Sequence, residues 1–66
     1  MSAETDFENL LIATAGIVLA DAIKVFHFYV RENLIRLQGN AATGKFFAYN
    51  NVYLTKTMIL RALAKV

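Results

Sequence analysis

The chain has 66 residues, 58% of them apolar, with seven Lys or Arg against five Asp or Glu and a net charge of +2. High hydrophobicity with low net charge excludes intrinsic disorder, and the lack of Cys excludes disulfides, thiolate metal sites and thiol nucleophiles. A soluble chain of this size buries only about 60% of the surface it exposes when unfolded, so its apolar content exceeds what a lone copy is expected to hide.

The opening is acidic, with Glu4, Asp6 and Glu8 ahead of any Lys or Arg, the reverse of a secretory signal's basic start. Thr5-Asp6-Phe7-Glu8 fits a capping box, Thr5 as N-cap and Glu8 at N3, and its acids suit the positive end of a helix dipole. From there to Gln38 the chain has no Pro and a single Gly, Gly16. Gly39 stands where a left-handed residue closing a helix is expected. The pattern predicts one helix over about 5–38, roughly 50 Å long. Within it, Leu10 to Val30 has about the 20 residues needed to span a bilayer. Asp21, Lys24 and His27 fall in its second half, however, and each charge costs roughly 2.5–3.5 kcal/mol in lipid.

Residues 39–44, Gly39-Asn40-Ala41-Ala42-Thr43-Gly44, read as the turn. With Lys45 they match the G-x-x-x-x-G-K part of a phosphate-binding loop. Phe46 stands where Mg²⁺ binding needs Ser or Thr, and the preceding segment reads as helix rather than strand. A plain helix–helix turn is therefore the preferred reading. A second helix is predicted over about 45–65, weakest at Asn50-Asn51 because Asn competes for backbone hydrogen bonds. An alternative leaves Phe46-Phe47-Ala48-Tyr49 extended and starts the helix at Asn51; a helix with a kink is preferred.

The expected fold class is all-α: one domain over residues 1–66, an antiparallel helical hairpin assembled into a helical array. Positions whose numbers sum to roughly 83 lie level across such a hairpin, which leaves residues 1–16 overhanging. Phe7, Leu10, Leu11 and Ile12 on the overhang then need cover from another subunit or lipid. Ala13, Gly16 and Ala20 form a small-residue seam suited to close approach between subunits. On the helical wheel Asp21, Lys24, His27 and Arg31 form a polar stripe opposite Leu19, Ala22, Ile23, Phe26, Tyr29, Val30 and Leu37. Asp21 comes level with Ala62, with Arg61 adjacent, so an Asp21–Arg61 ion pair across the hairpin is expected to neutralise it.

Chemistry-bearing clusters are sparse. Glu4, Asp6 and Glu8 share an exposed first turn and Glu32 stands alone, so no carboxylate pair is placed for acid–base work. His27 is the single His and needs donors from other subunits to hold a metal or haem; a packed or hydrogen-bonded His is the preferred reading. No enzyme activity, metal or cofactor is expected. Arg31, Arg36 and Lys45 outweigh Glu32 near the turn, and Lys56, Arg61 and Lys65 lie toward the other end of the second helix. Repeated over a regular assembly, so small an excess becomes a continuous basic lining that neutralises nucleic-acid phosphates without reading sequence.

A small, Cys-free, Pro-free helical hairpin with an acidic start, a basic Gly39–Gly44 turn and an apolar excess resembles filament and rod subunits. Filamentous phage coats share the acidic start and apolar middle but run as one helix. Conjugative pilins share the hairpin and its basic turn. Across its whole length the chain most resembles the small major coat proteins of rod-shaped archaeal DNA viruses, typified by the Aeropyrum pernix bacilliform virus. That resemblance implies a structural coat (capsid) protein in the virion, many copies of itself winding around double-stranded DNA. Arg31, Arg36 and Lys45 would then face the nucleic acid, with Arg61 and Lys65 as the alternative. The rival readings are a pilin-like filament without nucleic acid, outside the cell, and a small transmembrane accessory subunit of a larger membrane complex.

Overall fold

A computed structural model describes residues 3–40 and 44–66, with the backbone alone for 40 and 44–46. The chain is mostly helical. Helix α1 (Ala3–Ala15) and helix α2 (Leu19–Arg31) form a bent, hairpin-like pair, followed by strands β1 (Ile35–Asn40) and β2 (Gly44–Tyr49). A single 3₁₀ turn (Asn51–Leu54) then leads into helix α3 (Lys56–Lys65).

The predicted 5–38 helix is therefore three elements, and the predicted 45–65 helix is three as well. The first break is at Gly16, whose φ of 67° lies in the left-handed region that side chains disfavour. Its N–H still bonds the Ile12 carbonyl at 2.8 Å, closing the last turn of α1. The chain then turns by 112° before α2 begins. Leu10 to Val30 is thus not one helix. No single helix among the described residues is long and apolar enough to cross a membrane, although α1 and α2 together meet that test as a broken pair.

The second break is at Asn33, the one non-glycine residue with positive φ (62°) among those described. The Leu34 N–H bonds the Tyr29 carbonyl at 2.9 Å, and the Asn33 N–H bonds the Val30 carbonyl at 3.1 Å. These are the two bonds of a Schellman motif, with Asn33 in the left-handed position expected for Gly39. Asn adopts that conformation more readily than other side-chain-bearing residues. Beyond it β1 and β2 pair antiparallel, from Ile35 opposite Tyr49 to Asn40 opposite Gly44. Gly39, Asn40 and Gly44 of the predicted turn thus lie in strands, and positions 41–43 are outside the described residues.

The extended alternative for Phe46–Tyr49 matches the structure better than the preferred kinked helix. Asn50 opens the 3₁₀ turn by accepting the Val52 N–H on its side-chain oxygen at 3.1 Å. Thr55 caps α3, accepting the Met58 N–H at 3.3 Å. At the start of the chain, α1 begins at Ala3, which puts the predicted cap Thr5 inside the first turn.

One core joins all three α-helices and the first strand. Phe7, Leu11 and Ala15 come from α1; Ala22, Val25, Phe26 and Tyr29 from α2; Ile35 from β1; Ile59 and Ala62 from α3. Steps of three and four residues place each helix's set on a single face. Rings tie the elements further: Phe7 lies 6.0 Å from Phe26, 5.3 Å from Phe47 and 5.6 Å from Tyr49, centroid to centroid.

This core overturns the overhang. Phe7 and Leu11 are buried by their own chain, and Ile12 packs against the same core. The 112° turn folds α1 back over α2, so neither residue waits for another subunit. Leu10, Ala13, Gly16 and Ala20 remain exposed. The wheel is also rotated from expectation: Val25 is fully buried, whereas Leu19 and Val30 are 54% and 46% exposed.

Candidate interaction surface

The sequence-derived basic residues fall into two places. Arg31 is in the last turn of α2, where a cation suits the negative end of the helix dipole. Its guanidinium sits 5.4 Å from the Phe28 ring centroid and 3.8 Å from the Glu32 carboxylate, both partners of an exposed pair. Such a pair is worth little in water, so Arg31 stays available to an external anion. Arg36 follows across the Asn33 turn, exposed on β1 opposite Ala48. The backbone of Lys45 pairs with Gly39, and its side chain is outside the described residues. Arg61 and Lys65 lie on α3, both exposed.

The Asp21–Arg61 ion pair is not formed. Among the described residues the one ion pair is Arg31–Glu32. Asp21 instead sits in the first turn of α2, whose N-cap Val18 offers no side-chain acceptor. The helix dipole itself compensates a carboxylate there, without a cation.

Among the described residues, grooves lie on both sides of α2, two of which are well formed. The larger, about 520 Å³, runs between α2 and β1, with Phe26, Val30, Leu37 and Phe47 as apolar lining and Glu4, His27 and Arg36 among its polar groups. The smaller, about 280 Å³, lies between α2 and α3 and includes Phe28, Tyr53 and Met58 with Glu32, Arg61 and Lys65. His27 is exposed rather than packed inside, with its ring edge-on to Phe26 at 5.4 Å. Among the described residues no three His, Cys, Asp or Glu side chains converge as a metal site would require.

Sequence reasoning missed both the α2–β1 groove and Asn33. The signal for Asn33 was present: it is a residue tolerant of positive φ, followed by Leu34-Ile35-Arg36-Leu37, in which Ile35 and Leu37 alternate as in a strand.

Large apolar side chains remain at the surface: Leu10, Val18, Leu19, Ile23, Val30, Leu37, Val52, Leu60 and Val66 are 37–64% exposed. Leu19, Ile23 and Val30 share one stripe of α2, since steps of four and seven return to the same side of a helix. The most exposed of these is Val18, at the elbow between α1 and α2. No protein family, no curated protein and no solved structure matches the chain.

Proposed function

We propose that this chain is a structural subunit that assembles with many copies of itself, and that its assembly is the coat of a helical rod enclosing DNA. The observation that carries the reading is the apolar surface: among the described residues nine large apolar side chains are at least a third exposed. Leu19, Ile23 and Val30 gather on one side of α2, and apolar surface so gathered marks interaction sites. The cations supply the link to DNA. Arg31 and Arg36 stand exposed beside the Asn33 turn, with Arg61 and Lys65 on α3 as the second basic face, and contacts of that kind bind phosphates without sequence preference.

Electron microscopy of the native particle, with its absorbance ratio at ultraviolet wavelengths, tests this reading. Rods with nucleic-acid absorbance, resistant to nuclease until disrupted, are the expected result. Filaments lacking that absorbance make the chain a pilin-like subunit and remove the DNA. A membrane-subunit reading has one observation in its favour, the apolar α1–α2 pair; recovery of the chain only in detergent, beside larger proteins, would replace the coat with it.

A further inference from the structure

Helices α1 and α3 each turn one face into the core, through Phe7, Leu11 and Ala15 on α1 and Ile59 and Ala62 on α3. Their outer faces carry matching patterns. On α1, Asp6 and Leu10 are four residues apart and therefore on one side of the helix; on α3, Lys56 and Leu60 stand at the same spacing. Asp6 and Lys56 are exposed, and Leu10 and Leu60 are 39% and 41% exposed. Neither Asp6 nor Lys56 has an ion-pair partner within the chain among the described residues.

The charges of the two helices are one-signed. Helix α1 carries Glu4, Asp6 and Glu8 and no cation, whereas α3 carries Lys56, Arg61 and Lys65 and no acid. We infer that the outer face of α1 on one copy docks, in parallel, against the outer face of α3 on the next, Asp6 level with Lys56 and Leu10 level with Leu60. Charge selects this arrangement from the alternatives. Parallel pairing of α1 with α1 or of α3 with α3 opposes like charges, and any antiparallel pairing of these faces sets Asp6 or Lys56 against a leucine. A contact between two different faces is heterologous, and it propagates into a helical filament unless its rotation happens to close a ring. The inference rests on the self-assembly reading and names the surfaces that such an assembly would use.

The test uses the full chain and sedimentation velocity over a concentration series, with circular dichroism to verify folding. Lys56→Glu is the informative variant because an acid in the first turn of α3 suits the helix dipole and leaves the fold intact. The expected result is self-association at least about tenfold weaker for Lys56→Glu and for Asp6→Lys, since like charges placed opposite one another repel. The combined Asp6→Lys/Lys56→Glu variant restores it by reversing the pair. Raising salt from about 0.05 M to about 0.5 M weakens the wild type and not a neutral Asp6→Asn/Lys56→Gln variant. If the wild type assembles and Lys56→Glu assembles equally well, these faces are wrong and the assembly reading survives. If the wild type stays monomeric at every concentration, both fall together.

Discussion

Tyr29 is the largest fully buried side chain, 1% exposed, and its hydroxyl donates to the Tyr53 carbonyl at 2.7 Å. That bond ties α2 to the 3₁₀ turn that leads into α3. Burial first, and then the neighbouring Tyr53, push the Tyr29 hydroxyl up from 10.0 to about 12. The unfolded chain therefore releases this proton before the folded one does, and the folded state binds more protons between those values. Stability contributed by the neutral phenol is fully present below pH 10 and is lost as pH rises toward 12. Each unit of difference corresponds to about 1.4 kcal/mol. Tyr29→Phe is expected to lower stability at neutral pH by about 1 kcal/mol, the usual net worth of such a bond. It should also flatten the alkaline decline relative to the wild type. Urea unfolding of both proteins at neutral and alkaline pH checks this; equal alkaline slopes would show that Tyr29 is not the group responsible.

Gly16 governs the elements on either side of it. Nothing lies within 4 Å of where a Cβ would stand, so the constraint there is backbone conformation rather than space. An L-alanine at φ 67° is expected to destabilise by about 1–2 kcal/mol. A D-alanine, introduced by chemical synthesis, adopts the same φ without strain and should stabilise by about 0.4–1 kcal/mol by restricting the unfolded chain. Opposite signs in urea unfolding confirm the elbow; a stabilising L-alanine with increased helicity would mean that α1 and α2 run on as one helix. This elbow and the Asn33 turn mark where reading the sequence succeeded and failed. The reversal of the chain is legible: the expected turn over 39–44 lies where β1 and β2 reverse, from Ile35 opposite Tyr49 to Asn40 opposite Gly44. The kind of element is not. Leu34, Ile35 and Leu37 satisfy both a helical and an alternating pattern, a short-run ambiguity that periodicity cannot resolve. The aromatic run Phe46-Phe47-Ala48-Tyr49 favours a strand by composition; the Phe47 ring packs on Phe7 and Phe26, and the Tyr49 ring on Phe7. The basic residues could be located by reading along the chain. The α2–β1 groove could not, because Phe26, Leu37 and Phe47 meet only after the Asn33 turn and the β1–β2 pairing have formed.

At the scale of the whole molecule, charge is distributed by element, and the distribution decides which side could meet a polyanion. Acids dominate α1, cations dominate α3, and the end of α2 with β1 adds Arg31 and Arg36 against Glu32. If the Lys56–Leu60 side of α3 is occupied by the α1 face of a neighbouring copy, Lys56 is neutralised within the protein shell, and Arg31 and Arg36 beside the Asn33 turn are the cations proposed to meet phosphate. Each phosphate contact contributes about 0.9 to the slope of log affinity against log salt for duplex DNA. Arg31→Ala/Arg36→Ala should therefore lower that slope by about 2 per subunit, whereas Arg61→Ala/Lys65→Ala should leave it near the wild-type value. Fluorescence anisotropy with a labelled duplex over a salt series gives the comparison. Both variants keep the core intact, since all four side chains are exposed, so a change in slope reports contacts rather than folding. The reverse ranking would turn the Arg61–Lys65 side of α3 toward the nucleic acid; at about 100° per residue that side lies well around the helix from Lys56 and Leu60, so the α1–α3 contact would stand. An unchanged slope in both variants would remove DNA from the proposal while leaving a protein filament in place.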